Sequence, residues 1–169
     1  AYWRVHAKHF AKAGEHDKVV LMGLSTHGGG TIFTQKPIKA VADLKGLKLI
    51  ATNGPLIRMA RTLGVAPVMA APPKWFELLS RGVVDGGLIS TDAPEKFKIV
   101  KFVQYYTMVP GGLYNSSFPL MLNKKKWDSL SAKDRAALSR LFGEPLSRRM
   151  GAVWDAGEGI DPVQLDAAL

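Results

Sequence analysis

The stretch that decides the fold reads Lys36-Pro37-Ile38, Asp43-Leu44-Lys45-Gly46-Leu47-Lys48-Leu49, Leu63-Gly64-Val65-Ala66-Pro67-Val68, Trp75-Phe76-Glu77-Leu78-Leu79 and Arg81-Gly82-Val83-Val84-Asp85-Gly86. Short apolar runs alternate here with segments of helical character, and glycine stands at several junctions. The pattern predicts strands at 47–52, 67–70 and 83–90, with helices at 55–63 and 73–81 between them. Because crossover helices join strands that run parallel, it predicts an α/β fold with a parallel sheet.

The composition is that of a soluble globular protein. The chain has 169 residues, of which 47% are hydrophobic and 22% charged, enough for one domain with a full core or for a large part of a two-lobed protein. It lacks a run of about 18 apolar residues, the length that would predict a membrane span. Cysteine is absent, which excludes disulfides and cysteine-based metal or nucleophile chemistry.

The net charge of +9 raises the hypothesis of a nucleic-acid partner. The charges are spread along the chain, with a compact run at Lys124-Lys125-Lys126 and a pair at Arg148-Arg149. An aromatic-interleaved basic stripe is absent. We therefore predict a solvated basic surface that attracts anions, and no nucleic-acid partner.

Two groups of residues could form a ligand or metal site. His6, His9 and His16 have spacings that could serve a metal, but no carboxylate completes a ligand motif, and an exposed helix surface explains them. The loop Ser25-Thr26-His27-Gly28-Gly29-Gly30 does not match a phosphate-binding loop or a dinucleotide fingerprint. It is either a turn or a loop that faces a ligand, and we predict no metal and no cofactor.

A set of catalytic residues is not evident. Serines lack a nucleophile-elbow context, and Asp85 before Gly86 is typical of a residue that satisfies backbone donors at a bend. A small α/β enzyme acting on an anionic substrate remains the alternative function, since the basic charge would suit such a substrate.

The quoted phrases resemble those of the solute-binding subunits of TRAP (tripartite ATP-independent periplasmic) transporters, where "DLKGLKIR", "LGA-PV" and "ALQ-GVVDG" occur in this order. The resemblance covers about residues 15–157. It implies a periplasmic-binding-protein-like α/β fold of two lobes that close by a hinge on a small ligand, usually an organic acid. It also implies a periplasmic protein without enzymatic activity, which delivers its ligand to the membrane subunits of a TRAP permease.

One position departs from the family phrase. The arginine of "GLKIR" pairs with the ligand's carboxylate in the family, and Ile50 stands in its place. We expect His27, Asn53, Ser90 and Thr91 to line the ligand, with Ile50 as an apolar patch. Arg58 or His27 could supply a substitute positive group. Tyr114 and Asn115 are further candidates.

The resemblance also predicts how the chain is organised. Residues 1–33 would belong to lobe one and a crossing strand, residues 34–110 to lobe two, and residues 111–169 to the return into lobe one with a long helix. Because family members are about twice as long, the chain is expected to be a fragment: one nearly complete lobe plus parts of the other. An incomplete lobe would expose apolar surface, so self-association is a further expectation.

Overall fold

The computed structural model describes residues 1–157. The chain divides into two compact units: unit 1 consists of Ala1–His27 and Ser116–Leu169, and unit 2 of Gly28–Asn115. The limits of 34 and 110 expected for lobe two lie inside unit 2, six and five residues from its ends. Each unit is described by itself below.

The helices described are α1 Tyr2–Val5, α2 Gly54–Thr62, α3 Trp75–Ser80, α4 Ala93–Lys96, α5 Lys124–Asp128, α6 Ala132–Ser139 and α7 Glu144–Gly157. The strands are β1 Val19–Thr26, β2 Thr31–Thr34, β3 Lys48–Ala51, β4 Ala66–Met69, β5 Gly86–Ile89, β6 Tyr105–Thr107 and β7 Ser117–Asn123. Shorter helical turns are a π-helical turn at His6–Phe10 and 3-10 turns at Ala11–Ala13, Val41–Leu44, Pro72–Lys74 and Val100–Phe102.

Unit 2 contains a five-stranded sheet in the order β4-β3-β5-β2-β6. Strand β3 pairs in parallel with both β4 and β5, and helices α2 and α3 provide the crossovers. The predicted parallel sheet is therefore confirmed. Strand β2 lies between β5 and β6 and runs antiparallel to both, so the sheet is mixed.

The strands of unit 2 alternate their side chains between two apolar layers. Phe33 and Ile50 belong to one buried cluster, with Trp75 of α3. Ile32 and Leu49 belong to the other, with Leu56 of α2. Both faces of the central strands are buried, as expected for strands covered by crossover helices.

Asp85 has a structural role, but not at its own bend. Its Oδ2 atom accepts a hydrogen bond of 2.8 Å from the backbone N–H of Lys48, the first residue of β3. The backbone N–H of Asp85 donates in turn to the Lys48 carbonyl at 2.8 Å. These two contacts set where β3 and β5 begin to pair.

Unit 1 is built on the antiparallel pair of β1 and β7, with a bulge between Leu21 and Gly23. A β-carbon on Gly23 would lie 3.2 Å from both Leu146 and Met150, so glycine lets α7 pack closely on β1. The first helical segment is irregular, since it passes from α1 into the π-helical turn and the first 3-10 turn. No helix within residues 1–157 has the length and apolar character needed to cross a membrane.

Candidate functional site

The topology of unit 2 brings several of the predicted ligand residues to one edge of its sheet. Strands β3 and β5 are parallel neighbours, so their carboxyl ends lie at the same edge. Asn53 follows β3, and Ser90 and Thr91 follow β5. Strand β2 is antiparallel to β5, with Thr31 opposite Ile89, so the glycine loop that precedes β2 reaches this edge as well. Ligands of open α/β sheets bind at such an edge.

The glycine loop packs against residues 112–115 of the same unit. The Gly30 N–H donates to the Tyr114 carbonyl at 2.8 Å, and the Leu113 N–H donates to the Gly30 carbonyl at 3.0 Å. A β-carbon on Gly29 would lie 2.7 Å from Cα of Gly112, and one on Gly30 would lie 2.1 Å from the Tyr114 ring. The glycines therefore permit close approach to a second segment.

Tyr114 and Asn115 reach the same edge through this pairing. Tyr114 is half-buried and Asn115 is exposed. Burial raises the pKa of Tyr114, so its hydroxyl stays protonated at neutral pH and can act as a hydrogen-bond donor.

Asn53 caps helix α2. Its Oδ1 atom accepts a hydrogen bond of 2.9 Å from the Leu56 N–H, and its carbonyl accepts one of 3.0 Å from the Ile57 N–H. Pro55 has no N–H to offer. Of the N–H positions at the start of α2 that have no partner within the helix, Leu56 is therefore occupied by Asn53 and Pro55 lacks the N–H, which leaves a smaller backbone anion site than usual.

Arg58 is an exposed cation close to this helix start. Its Nη1 atom lies 3.6 Å from the position of a β-carbon built on Gly54, the first residue of α2. Within residues 1–157 it takes part in no salt bridge with Asp or Glu. Its guanidinium is therefore available to an anion at this edge.

Ile50 and His27 lie in different surroundings from the residues above. Ile50 is 1% exposed and packs in the core of unit 2 with Phe33 and Ile89. His27 belongs to unit 1, where its Nε2 atom accepts a hydrogen bond of 3.1 Å from the Ser116 N–H and its ring contacts Phe118. This hydrogen bond occupies one of the two ring nitrogens of His27 with a backbone group of the same unit.

The residue that sequence reasoning missed is Asp92. Its side chain is 3% exposed, next to the predicted Ser90 and Thr91, and its Oδ2 atom pairs with Lys96 one turn later. The signal available in the sequence was an acidic residue three positions after the end of a buried strand and directly before Ala93-Pro94.

His6 and His16 line a groove of about 460 Å³ in unit 1, together with Trp3 and Phe10, whereas His9 does not line it. The ring centroids of His6 and His16 are 5.5 Å apart. In the described part of the chain, no group of three or more potential metal ligands comes together.

Comparisons with known proteins identify the family. Residues 4–158 match the model of bacterial extracellular solute-binding protein, family 7. The chain is 37% identical over 153 residues to the outer membrane transporter protein TsaT of Comamonas testosteroni, an alignment that covers 89% of this chain and 45% of TsaT.

Two solved structures are similar. A TRAP periplasmic solute-binding protein from Bordetella bronchiseptica with bound (R)- and (S)-mandelate has a TM-score of 0.86 and 34% identity, covering 93% of this chain and 50% of that one. A TRAP solute-binding protein from Rhodoferax ferrireducens in complex with benzoate has a TM-score of 0.83 and 27% identity, covering 93% and 49%. The chain thus spans about half the length of these relatives.

These similarities confirm the expected fold class, an α/β periplasmic-binding-protein-like fold, and the expected class of protein, a solute-binding protein and not an enzyme. The chain belongs to the TRAP-type bacterial extracellular solute-binding proteins of family 7.

Proposed function

We propose that this protein is a periplasmic receptor that binds a small organic carboxylate and delivers it to the membrane subunits of a TRAP permease. Family membership supports the receptor role. The mandelate and benzoate held by the two solved relatives support an aromatic carboxylate as the ligand.

The observation that carries the proposal is the position of Arg58. Where Ile50 replaces the arginine of the family phrase, the ligand's carboxylate needs another cation. Arg58 is exposed, forms no salt bridge within residues 1–157 and lies beside the first residue of α2, at the sheet edge. Its planar donors match the two oxygens of a carboxylate.

The other candidate cation and the helix backbone are weaker choices. The Nε2 atom of His27 is already occupied by the Ser116 N–H. In the first turn of α2, the Leu56 N–H is occupied by the Asn53 side chain and Pro55 has no N–H. Asn53, Ser90, Thr91, Tyr114 and Asn115 would then contribute polar contacts around the carboxylate or the rest of the ligand. Ile50 would support this site from the core.

Calorimetry with benzoate, mandelate, succinate and benzamide tests this function. We expect the acids to bind and the amide to bind far more weakly. The Arg58→Ala variant should weaken acid binding by about 1.5–3 kcal/mol, the usual contribution of hydrogen bonds to charged groups. Arg58→Lys should bind acids more tightly than Arg58→Ala but more weakly than the unchanged protein, because lysine keeps the positive charge and lacks the planar paired donors of arginine.

Arg61→Ala is the matched control, since Arg61 lies on the same helix, is exposed and has no salt bridge within residues 1–157. It should leave acid affinity nearly unchanged. Failure of every acid to bind would overturn the proposed function. Acid binding that is equally strong in Arg58→Ala would show that the carboxylate lies elsewhere.

A further inference from the structure

Asp92 is a buried carboxylate of which one oxygen has a bonding partner and the other has none within the described chain. Its side chain is 3% exposed, and its Oδ2 atom pairs with the ammonium group of Lys96. Its Oδ1 atom is shielded from solvent and accepts no hydrogen bond within the described chain. Buried polar atoms are almost always hydrogen-bonded in native proteins, so an exception of this kind requires an explanation.

The ordinary structural role of an aspartate at this position does not explain it. Asp92 occupies the N-cap position of α4, where an aspartate side chain usually accepts a hydrogen bond from the first turn. Its side chain makes no such bond, and Pro94 in that turn has no N–H to donate. The Oδ1 atom is therefore not needed to build the helix.

The preceding residue repeats the pattern. The Oγ1 atom of Thr91 is also shielded from solvent and makes no hydrogen bond within the described chain. Ser90 and Thr91 are half-buried, so the segment borders the protein surface, and a ligand reaches the two shielded atoms by displacing the side chains that cover them. Two consecutive side chains thus have spare hydrogen-bonding capacity at the carboxyl end of β5.

The charge of Asp92 determines what it can bind. Burial raises its pKa, but Lys96 and the nearby Ser90 hydroxyl lower it further, so the net shift is downward and the carboxylate is ionised at neutral pH. An ionised carboxylate only accepts hydrogen bonds, and it repels the carboxylate of a ligand.

We propose that Thr91 and Asp92 form a subsite for a hydroxyl group of the ligand, so that the receptor selects hydroxy acids over acids without a hydroxyl. This inference rests on the proposed function. A hydroxyl can donate to Oδ1 of Asp92 and accept from Oγ1 of Thr91 at the same time. An ammonium group could satisfy the carboxylate but could not accept from the threonine.

Matched pairs of ligands test the subsite. Mandelate and phenylacetate differ by one hydroxyl, as do malate and succinate. Calorimetry should show that the hydroxy acid of the preferred pair binds at least about tenfold more tightly, because hydrogen bonds to charged groups are the stronger kind. Thr91→Val and Asp92→Asn should each reduce this ratio, which is measured within each variant and so does not depend on the variant's overall affinity for acids.

Glu77→Gln is the control, since Glu77 is an exposed carboxylate of the same unit that pairs with Arg81. This variant should show the same affinity ratio between hydroxy acid and acid as the unchanged protein. Circular dichroism establishes that each variant is folded, and Thr91→Val, which keeps the side-chain shape, provides the result if Asp92→Asn unfolds.

Equal affinity within both pairs of ligands, or an affinity ratio that is unchanged in both variants, would overturn the subsite and leave the receptor function standing. Tighter binding of phenylglycine than of mandelate would also overturn it, in favour of an ammonium site. Failure of all these acids to bind would instead overturn the proposed function itself.

Discussion

Arg4 and Glu144 join the two ends of unit 1 through hydrogen bonds between residues 140 positions apart. The Nε and Nη2 atoms of Arg4 donate to Oε1 of Glu144 at 2.9 and 2.6 Å. Arg148, one turn further along α7, donates to the same oxygen at 2.9 Å. Helix α1 is thus tied to α7 by a carboxylate that two guanidinium groups share.

This arrangement predicts a loss of stability in acid. Hydrogen bonds from Arg4 and Arg148 lower the pKa of Glu144 from 4.5 to about 2. Because the folded pKa is the lower one, the contribution is complete above the unfolded pKa near 4.5 and is lost as the pH falls through about 2. Thermal melts between pH 5 and pH 2 should therefore show a smaller acid destabilisation for Glu144→Gln than for the unchanged protein.

The control for this prediction is Glu77→Gln, which removes an exposed pair with Arg81 in unit 2. It should leave the acid dependence nearly intact. Since both pairs are exposed to solvent, the effect of Glu144→Gln should shrink in high salt. An acid dependence that is the same in both variants would contradict the prediction.

Gly86 is a position where no side chain fits. A β-carbon there would lie 1.8 Å from the carbonyl oxygen of Phe33 on β2, a backbone atom that cannot move without breaking the sheet. Gly86→Ala should lower the free energy of unfolding by about 1–3 kcal/mol or more, as overpacking does. Urea unfolding measures the change.

Gly151 offers the opposite case within α7. A β-carbon there would meet no atom within 4 Å. Gly151→Ala should be neutral or should stabilise the protein by up to about 1 kcal/mol, because alanine favours the helix. Similar losses for the two substitutions would show that the close approach at Gly86 is not the cause.

Asn53 should allow the stability of α2 to be separated from ligand binding. Asn53→Ala removes the cap and should cost about 1 kcal/mol of stability. Asn53→Asp keeps an acceptor for the Leu56 N–H, and its charge suits a helix N-terminus, so stability should be preserved. That same charge should repel a carboxylate ligand, and calorimetry should show weaker acid binding.

Asn123→Asp is the matched substitution away from the site. Asn123 caps α5 in unit 1 by accepting a hydrogen bond of 3.2 Å from the Lys126 N–H. It should leave both stability and acid affinity unchanged. Unaltered acid binding in Asn53→Asp would place the carboxylate away from the start of α2.

The exposed apolar side chains of strand β7 lead us to predict that the chain self-associates. Phe118, Leu120 and Met121 are 38–46% exposed, and β1 is the strand with which β7 pairs in the described chain. Leu24 is the one apolar side chain that is buried in the described part of unit 1. An apolar strand with a free edge is a template for pairing with another chain. Sedimentation velocity should therefore show a species larger than the monomer as concentration rises.

Leu120→Lys should reduce this association, because a lysine on an edge strand opposes pairing. Val153→Lys is the control, since Val153 is 69% exposed and lies on helix α7, where it offers no strand edge for pairing. A monomer at all concentrations would refute the prediction, as would an equal effect of both substitutions.

The sequence by itself determined the local elements and the parallel part of the sheet. A helix was predicted over residues 55–63, and α2 is observed at Gly54–Thr62. Asn53 caps its start, and Pro55 has a backbone φ suited to the first turn. Gly64 ends it by adopting a left-handed conformation. The alternation of apolar runs with glycine-ended helices was enough to place β3, β4 and β5 in one parallel sheet.

Only the tertiary structure decided the rest, because it depends on residues far apart in the chain. The insertion of β2 between β5 and β6 arises from pairing over more than 50 residues, which no local pattern encodes. Strand β5 begins at Gly86 and not at 83, because Val84 turns into the core and Asp85 is held by Lys48. From the sequence the glycine loop was either a turn or a loop that faces a ligand, and only the folded structure shows its close packing against Tyr114. The sequence did not single out Asp92 for the same reason: burial and unmet hydrogen bonds are properties of the packed chain, and the sequence gives no information on neighbours in space.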